Sequence, residues 1–92
     1  MTLRDTELIG KKLVKYGFYR SKTDHQEYKL PNVEGIIQVN FVRFGNVWFV
    51  LILHEIDFHT KVNFDSHEAK FTPEWLVEEH KKLQAMFKFL RT

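Results

Sequence analysis

The segment from His54 to His59, His-Glu-Ile-Asp-Phe-His, holds the densest group of side chains able to do chemistry. Two histidines around a glutamate are typical of zinc proteases, but those histidines stand four apart on one helical face. Here they are five apart, in a segment of strand character, where they would point to opposite sides. Glu55, Asp57 and His59 would share one strand face, and their oxygen and nitrogen atoms suit a divalent ion. Because solvated polar side chains are the commoner cause of such a pattern, we predict no metal and no other cofactor.

Two acid-x-lysine triplets, Glu27-Tyr28-Lys29 and Glu68-Ala69-Lys70, offer a second catalytic hypothesis. In metal-dependent nucleases a carboxylate of such a triplet holds magnesium and the lysine steadies the attacking water. That arrangement also needs an aspartate in a preceding hairpin, which this sequence does not clearly supply. The chain has no cysteine, and neither serine lies in a glycine-rich elbow. We therefore predict a protein that is not an enzyme, with a small metal-dependent hydrolase or nuclease as an alternative.

Length and composition limit the fold to one core. Ninety-two residues, 43% of them apolar and 15% aromatic, are expected to form a single domain over residues 1–92. The absence of cysteine is compatible with a reducing compartment and favours a cytoplasmic location. The polar start of the chain lacks the apolar stretch of a signal peptide, and the longest apolar run has seven residues where a membrane span needs about 20. We expect no membrane association.

Charge is unevenly distributed along the chain, although the net charge is only +2. Residues 1–22 carry six bases and two acids, residues 23–80 four bases and ten acids, and residues 81–92 four bases and no acid. Basic terminal segments lying side by side would attract a phosphate backbone, so nucleic-acid binding is an alternative function. Phe41, Trp48 and Arg43 would also suit an aromatic sheet surface that reads RNA. The predicted phosphate contacts are Lys11, Lys12, Lys15, Arg20, Lys22, Lys81, Lys82 and Lys88.

Helices are predicted at both ends of the chain. Thr2 to Asp5 has the form of a capping box and Gly17 suits the position after a helix, so the first helix is expected over residues 3–16. Thr72 as N-cap and Pro73 at the first helical position predict a second helix from residue 73 to about 89. The predicted buried stripes are Leu8, Ile9, Leu13 and Tyr16, then Leu76, Leu83, Met86, Phe87 and Leu90.

Strands are predicted between the helices, giving an α+β fold in which a three- or four-stranded antiparallel β-meander separates an N-terminal from a C-terminal helix. A weak edge strand covers residues 26–30, and two strong strands cover residues 36–44 and 47–53. Gly45-Asn46 joins the strong strands as a two-residue turn, and glycine in first place favours type II′. After a break between Asp57 and Thr60, residues 61–64 form a short strand.

The register of this hairpin makes both faces of the sheet apolar, since six of the eight hairpin residues are apolar on each face. An antiparallel sheet with one wet side alternates cleanly, so both sides are expected to be covered. Either one helix lies on each side, or both share one side and the other needs a protein partner, such as a second copy forming a homodimer. The predicted protein-binding residues are Val42, Phe44, Val47, Phe49 and Leu51, with Leu53 on the same face.

These observations favour a small non-catalytic interaction protein, an inhibitor, adaptor or regulator that works by binding another protein. The lack of any housekeeping motif is also typical of accessory proteins of bacteriophages and other mobile elements.

Overall fold

The computed structural model describes residues 1–56, 59–65 and 72–91. Its elements in chain order are α1 (Leu3–Tyr16), β1 (Tyr19–Arg20), β2 (Glu27–Leu30), β3 (Ile36–Phe44), β4 (Val47–Ile56), β5 (His59–Asp65) and α2 (Pro73–Arg91). The strands form one antiparallel sheet in the order β1-β2-β3-β4-β5. The predicted α+β class and the terminal helices are confirmed. The sheet has one strand more than predicted, because Tyr19 and Arg20 pair with β2 at a point where we expected a polar connection to begin.

The ends of α1 form as the sequence predicts. The Thr2 backbone N–H donates to the Asp5 carboxylate (2.8 Å), and the Asp5 N–H donates to the Thr2 hydroxyl oxygen (3.2 Å), which completes the capping box. Hydrogen bonding of the carboxylate by Thr2, first through its backbone N–H and then through its side chain, lowers the pKa of the Asp5 carboxyl. At the other end, the N–H of Phe18 donates to the Leu13 carbonyl (2.9 Å) while Gly17 takes a positive φ of 132°. Phe18 is buried, so the chain turns directly from the helix into the core.

The central hairpin has the predicted register. Phe44 lies opposite Val47 and Val42 opposite Phe49, and pairing continues without a slip to Ile36 and Glu55. Gly45 has a φ of 59° while Asn46 keeps a negative φ, the combination of signs that a type II′ turn requires. Strand β4 is longer than predicted, since it runs to Ile56 before the chain returns in β5.

Both helices pack on the same face of the sheet. The main buried cluster joins Ile9 and Leu13 of α1 and Leu76 of α2 to the inward residues of β3 and β4, and α1 also contacts α2. A smaller cluster lies farther along α2 and comprises Ile56, Leu83 and Phe87. Within the described part of the chain, no helix is long and apolar enough to cross a membrane. One sheet face is therefore a core, and neither of the two described helices lies on the opposite face.

Some residues predicted to be buried in the helices are exposed. Leu8 (48% exposed), Tyr16 (42%) and Met86 (48%) lie outside the core, whereas Thr6, Gly10 and His80 are buried. We predicted burial for apolar residues at helical spacing. Where the helices lie close to the sheet, however, small and polar residues occupy the contact positions. Phe41 is also buried, at 4% exposure, beneath the helix layer. The predicted RNA-reading surface with Phe41 and Trp48 is therefore wrong, because these side chains pack in or against the core.

Gly35 lies where the chain before β3 passes close to the backbone of β4. It precedes β3 with a φ of 83°, and a Cβ at this position would overlap the carbonyl oxygen of Glu55. Gly45 also has a positive φ, but a Cβ there would meet nothing within 4 Å. Both glycines therefore have a φ that favours glycine, but only at Gly35 is there also no room for a Cβ.

We expect Gly35→Ala to lower the free energy of unfolding by about 3 kcal/mol or more, because a strained φ and a backbone overlap act together. Gly45→Ala is the matched control and should cost only about 1 to 2 kcal/mol, the strain term alone. Urea denaturation of both variants measures the difference. Equal losses would show that the close approach to Glu55 is not a constraint.

Candidate functional site

The sheet face opposite the helices is open and apolar. We call seven of its residues the apolar sheet face: Val42, Phe44, Val47, Phe49, Leu51, Leu53 and Val62. Strand pairing places them together, since Val42 faces Phe49 and Leu53 faces Val62. Phe44 is 59% exposed and Val62 54%, whereas the helix-side residues at the middle of β3 and β4, such as Val39, Val50 and Ile52, are almost completely buried. The five predicted protein-binding residues thus share one solvent-facing surface, and Val62 adds a contribution from β5.

An aromatic pair stands at the hairpin end of this face. The rings of Phe44 and Phe49 are 5.6 Å apart and inclined at 75°, an edge-to-face arrangement. The two residues are diagonal neighbours, because Phe44 faces Val47 and Phe49 faces Val42. Each ring restricts the other, so the pair presents a raised apolar surface at a low cost in side-chain entropy.

Polar groups border the apolar sheet face along β2 and the first half of β3. Gln38 donates a hydrogen bond from its amide nitrogen to the Asn40 side-chain oxygen (2.7 Å), and Lys29 lies 3.9 Å from the Glu27 carboxylate. The five strands hold 32 residues. At about 3.3 Å per residue and about 4.8 Å between strands, the whole face has an area of roughly 500 Å². About half of that area is apolar, so the surface has an apolar centre and a polar border, as protein interfaces do.

The predicted nucleic-acid contacts lie on the helix side, but not on one surface. Lys11, Lys15 and Arg20 line a cleft between α1 and the first two strands. Lys81 and Lys88 line a different hollow, beside Glu34. Lys81 also lies 3.6 Å from Glu78, and Lys82 lies 3.3 Å from Glu79, so acids on α2 partly neutralise these two cations. Nucleic-acid binding by this set, which also includes Lys12 and Lys22, remains a prediction.

The predicted metal ligands are not brought together. Glu55 faces Thr60 on the open side of the sheet, whereas His59 faces Ile56 and stacks on Phe87 of α2, with ring centroids 4.5 Å apart. Our expectation that Glu55 and His59 share one strand face is wrong, because the chain reverses between Ile56 and His59. Asp57 lies outside the described residues. Within the described ranges, no three histidine or acidic side chains are placed to hold a metal ion.

A buried pair of histidines links the sheet to α2. The Nδ1 atoms of His54 on β4 and His80 on α2 lie 3.1 Å apart, and the rings stack with centroids separated by 5.3 Å. His80 Nε2 lies 2.6 Å from the carbonyl oxygen of Glu34, which also accepts a hydrogen bond from the Gln84 amide at 3.3 Å. Both imidazoles are about 98% buried or more. The pair fixes the position of α2 against the sheet and the turn before β3.

The hydrogen bonds of this pair define which nitrogens carry protons. A carbonyl can only accept, so His80 donates from Nε2 to Glu34. In neutral His80 the Nδ1 atom is then an acceptor, and His54 donates to it from Nδ1. His54 Nε2 is left as a buried lone pair that has no hydrogen-bond partner among the described residues. Burial, and then the neighbouring His80 and Lys61, lower the pKa of His54 to about 4.

Sequence reasoning missed this pair, although two signals were present. The hairpin register places His54 opposite Ile37, on the face that carries the core. His80 falls four residues after Leu76 and three before Leu83, on the buried stripe of α2. The comparison with zinc proteases concerned only the spacing of His54 and His59, and His80 lies 26 residues farther along the chain.

No family model, no curated protein and no solved structure matches this chain.

We expect the stability of the protein to fall in mild acid because of His54. The pKa is about 4 in the folded chain and 6.5 as the ordinary value, so between these limits the unfolded chain binds a proton that the folded chain does not. The free energy of unfolding should be highest above pH 6.5 and decrease by about 3 kcal/mol as the pH falls to 4.

Urea denaturation at a series of pH values measures this dependence. His54→Asn removes the titrating group, so its profile should be flatter than that of the wild type between pH 4 and 6.5. His25→Asn, at an exposed histidine, is the control and should keep the wild-type slope. Identical profiles for His54→Asn and the wild type would contradict the assignment.

Proposed function

We propose that this chain is a small non-catalytic interaction protein, an adaptor or regulator that binds another protein through the apolar sheet face. The observation that carries the proposal is the exposure of Phe44, Val47 and Val62 at 59%, 42% and 54% on one continuous surface. Valine, leucine and phenylalanine offer no group for proton transfer or nucleophilic attack, so this surface is suited to binding. Contiguous apolar patches of this kind mark interaction sites.

Burial of this face would supply a large favourable free energy. Each Å² of apolar surface removed from water contributes about 25 cal/mol, and the most exposed side chains of the face have the most to gain. The Phe44 and Phe49 pair is a natural energetic centre, because rigid aromatic anchors dominate the energetics of many interfaces. The surrounding valines and leucines would exclude water from that centre.

The partner that the geometry favours is a second copy of the chain. Two sheets pack face to face about 10 Å apart, and two copies of this roughly 500 Å² face would bury about 1,000 Å², the lower bound for a biological interface. A two-fold axis brings each residue near its own kind, so a charged centre would repel itself. Here the centre is uncharged, Glu27 and Lys29 are paired at the border, and the lysines of α1 lie on the opposite side.

Phe44→Lys should therefore dissociate the dimer while leaving the fold intact. A lysine at this position would place a charge among the apolar side chains of the interface, so the dissociation constant should rise at least about tenfold, or 1.4 kcal/mol. Because Phe44 is 59% exposed, the stability of the isolated chain should change by less than about 1 kcal/mol. Size-exclusion chromatography with light scattering, over micromolar to submillimolar concentrations, measures the mass.

Leu8→Lys is the matched control, because Leu8 is an exposed apolar residue (48%) on α1, away from the sheet face. This variant should dimerise like the wild type. A wild-type chain that stays monomeric at every concentration would rule out the second copy. The sheet face would then need a different protein as its occupant, whose binding Phe44→Lys should abolish.

A further inference from the structure

A cleft of about 440 Å³ lies on the helix side of the sheet, between α1 and the β1–β2 hairpin. Its volume falls within the range of small-molecule sites. Arg20 and Tyr28 form the strand wall, and five residues at helical spacing form the α1 wall: Glu7, Gly10, Lys11, Val14 and Lys15. This feature is separate from the apolar sheet face, and the argument below does not depend on the proposed function.

Gly10 and Tyr28 determine the shape of the cleft. A Cβ on Gly10 would overlap the Tyr28 hydroxyl, so only glycine lets the phenol lie against the helix at this point. The ring also packs edge-to-face on Phe41, at 5.8 Å, within the core. The tyrosine is therefore held from both sides and forms a rigid part of the cleft wall.

The Tyr28 hydroxyl is the polar end of a side chain that is otherwise largely buried, since the residue is only 5% exposed. Tyr28 is also one of the residues that line the cleft, and a phenol hydroxyl can donate a hydrogen bond. The hydroxyl lies beside Gly10, which also lines the cleft, so a ligand there can accept its hydrogen bond.

Arg20 is held in place next to this hydroxyl. Its guanidinium carbon lies 5.7 Å from the centre of the Tyr28 ring, a cation–π contact. Its Nε atom donates to the carbonyl oxygen of His25 at 2.5 Å. These two contacts fix the planar group while leaving its terminal nitrogens available as donors. A preorganised guanidinium is well suited to bidentate recognition of phosphate or carboxylate.

The cleft carries an excess of positive charge. Lys11 and Lys15 stand one turn apart on α1, and neither they nor Arg20 forms an ion pair with a carboxylate of the described residues. Glu7 is the one acid among the lining residues, so three cations face one anion. Val14 and the tyrosine ring add apolar surface. The ligand that matches this lining has an anionic group and an apolar or aromatic body.

We propose that this cleft binds a small organic phosphate of about mononucleotide size. Arg20, Lys11 and Lys15 contact the phosphate oxygens, the Tyr28 hydroxyl donates a further hydrogen bond, and Val14 contacts the organic portion. The phosphate ester is the chemistry that the donors recognise, and a free metabolite or a nucleic-acid end could present it.

Titration of the ¹⁵N-labelled chain with adenosine monophosphate, followed by NMR at low and at moderate salt, tests the proposal. Saturable shifts are expected at the amides of α1 and the β1–β2 hairpin. Inorganic phosphate should perturb the same amides but bind more weakly, because it lacks the organic portion. A short single-stranded oligonucleotide with a terminal phosphate tests the second source.

Four substitutions make the test specific. Arg20→Gln should weaken adenosine monophosphate binding at least about tenfold, and Tyr28→Phe about fivefold with the ring packing retained. Glu7→Gln should strengthen binding severalfold, because it removes the negative charge that repels the phosphate. A damaged fold would weaken binding, so this increase cannot be explained by misfolding. Lys22→Gln removes the same charge outside the cleft and should change binding less than about twofold.

Two results would overturn the proposal. One is the absence of saturable shifts with adenosine monophosphate at low salt. The other is an equal loss of binding in Lys22→Gln and Arg20→Gln, which would indicate general charge attraction instead of a site. If the first result is found and the oligonucleotide nevertheless binds, the cleft contacts a nucleic-acid backbone and not a small organic phosphate.

Discussion

The architecture depends on one constraint: a sheet that is apolar on both faces is covered by helices on only one. Contact between α1 and α2 places both on the side of Ile37, Val39 and Ile52. These three residues are almost completely removed from water, so the hydrophobic effect stabilises the packing of the helices on this face. The opposite face keeps its apolar residues because the chain supplies no third helix among its described elements. The exposed surface follows directly from this imbalance.

The sequence predicted much of this, because local rules governed the elements concerned. The ends of α1, the start of α2 and the register of the central hairpin follow from capping residues, from proline and glycine, and from strand alternation. The apolar sheet face could be predicted from that register alone. The side on which each helix packs could not, because an amphipathic helix has the same pattern on either face of a sheet.

The two other sites escaped prediction because they depend on contacts distant in the chain. Gly10 is buried since Tyr28 lies against it, and His80 is buried since His54 and Glu34 supply its hydrogen bonds. Hydrogen bonds are directional, so the link between His54, His80 and Glu34 restrains α2 against sliding along the sheet. The apolar contacts of Leu76 and Leu83 restrain such sliding less, because they are not directional. The same arrangement leaves the buried Nε2 atom of His54 without a hydrogen-bond partner among the described residues, which is unfavourable.

The order of the strands has a consequence for how the chain assembles. Each strand of the sheet lies beside the strand that precedes or follows it in the chain, with no crossover. Every strand pairing therefore closes a short loop. The chain loses only a small amount of conformational entropy each time a strand pairs with the one before it. The contacts between segments far apart along the chain are mainly those of the two helices, since α1 and α2 both pack on β3 and β4. The meander can in this way form a template by local events, on which the two helices then dock.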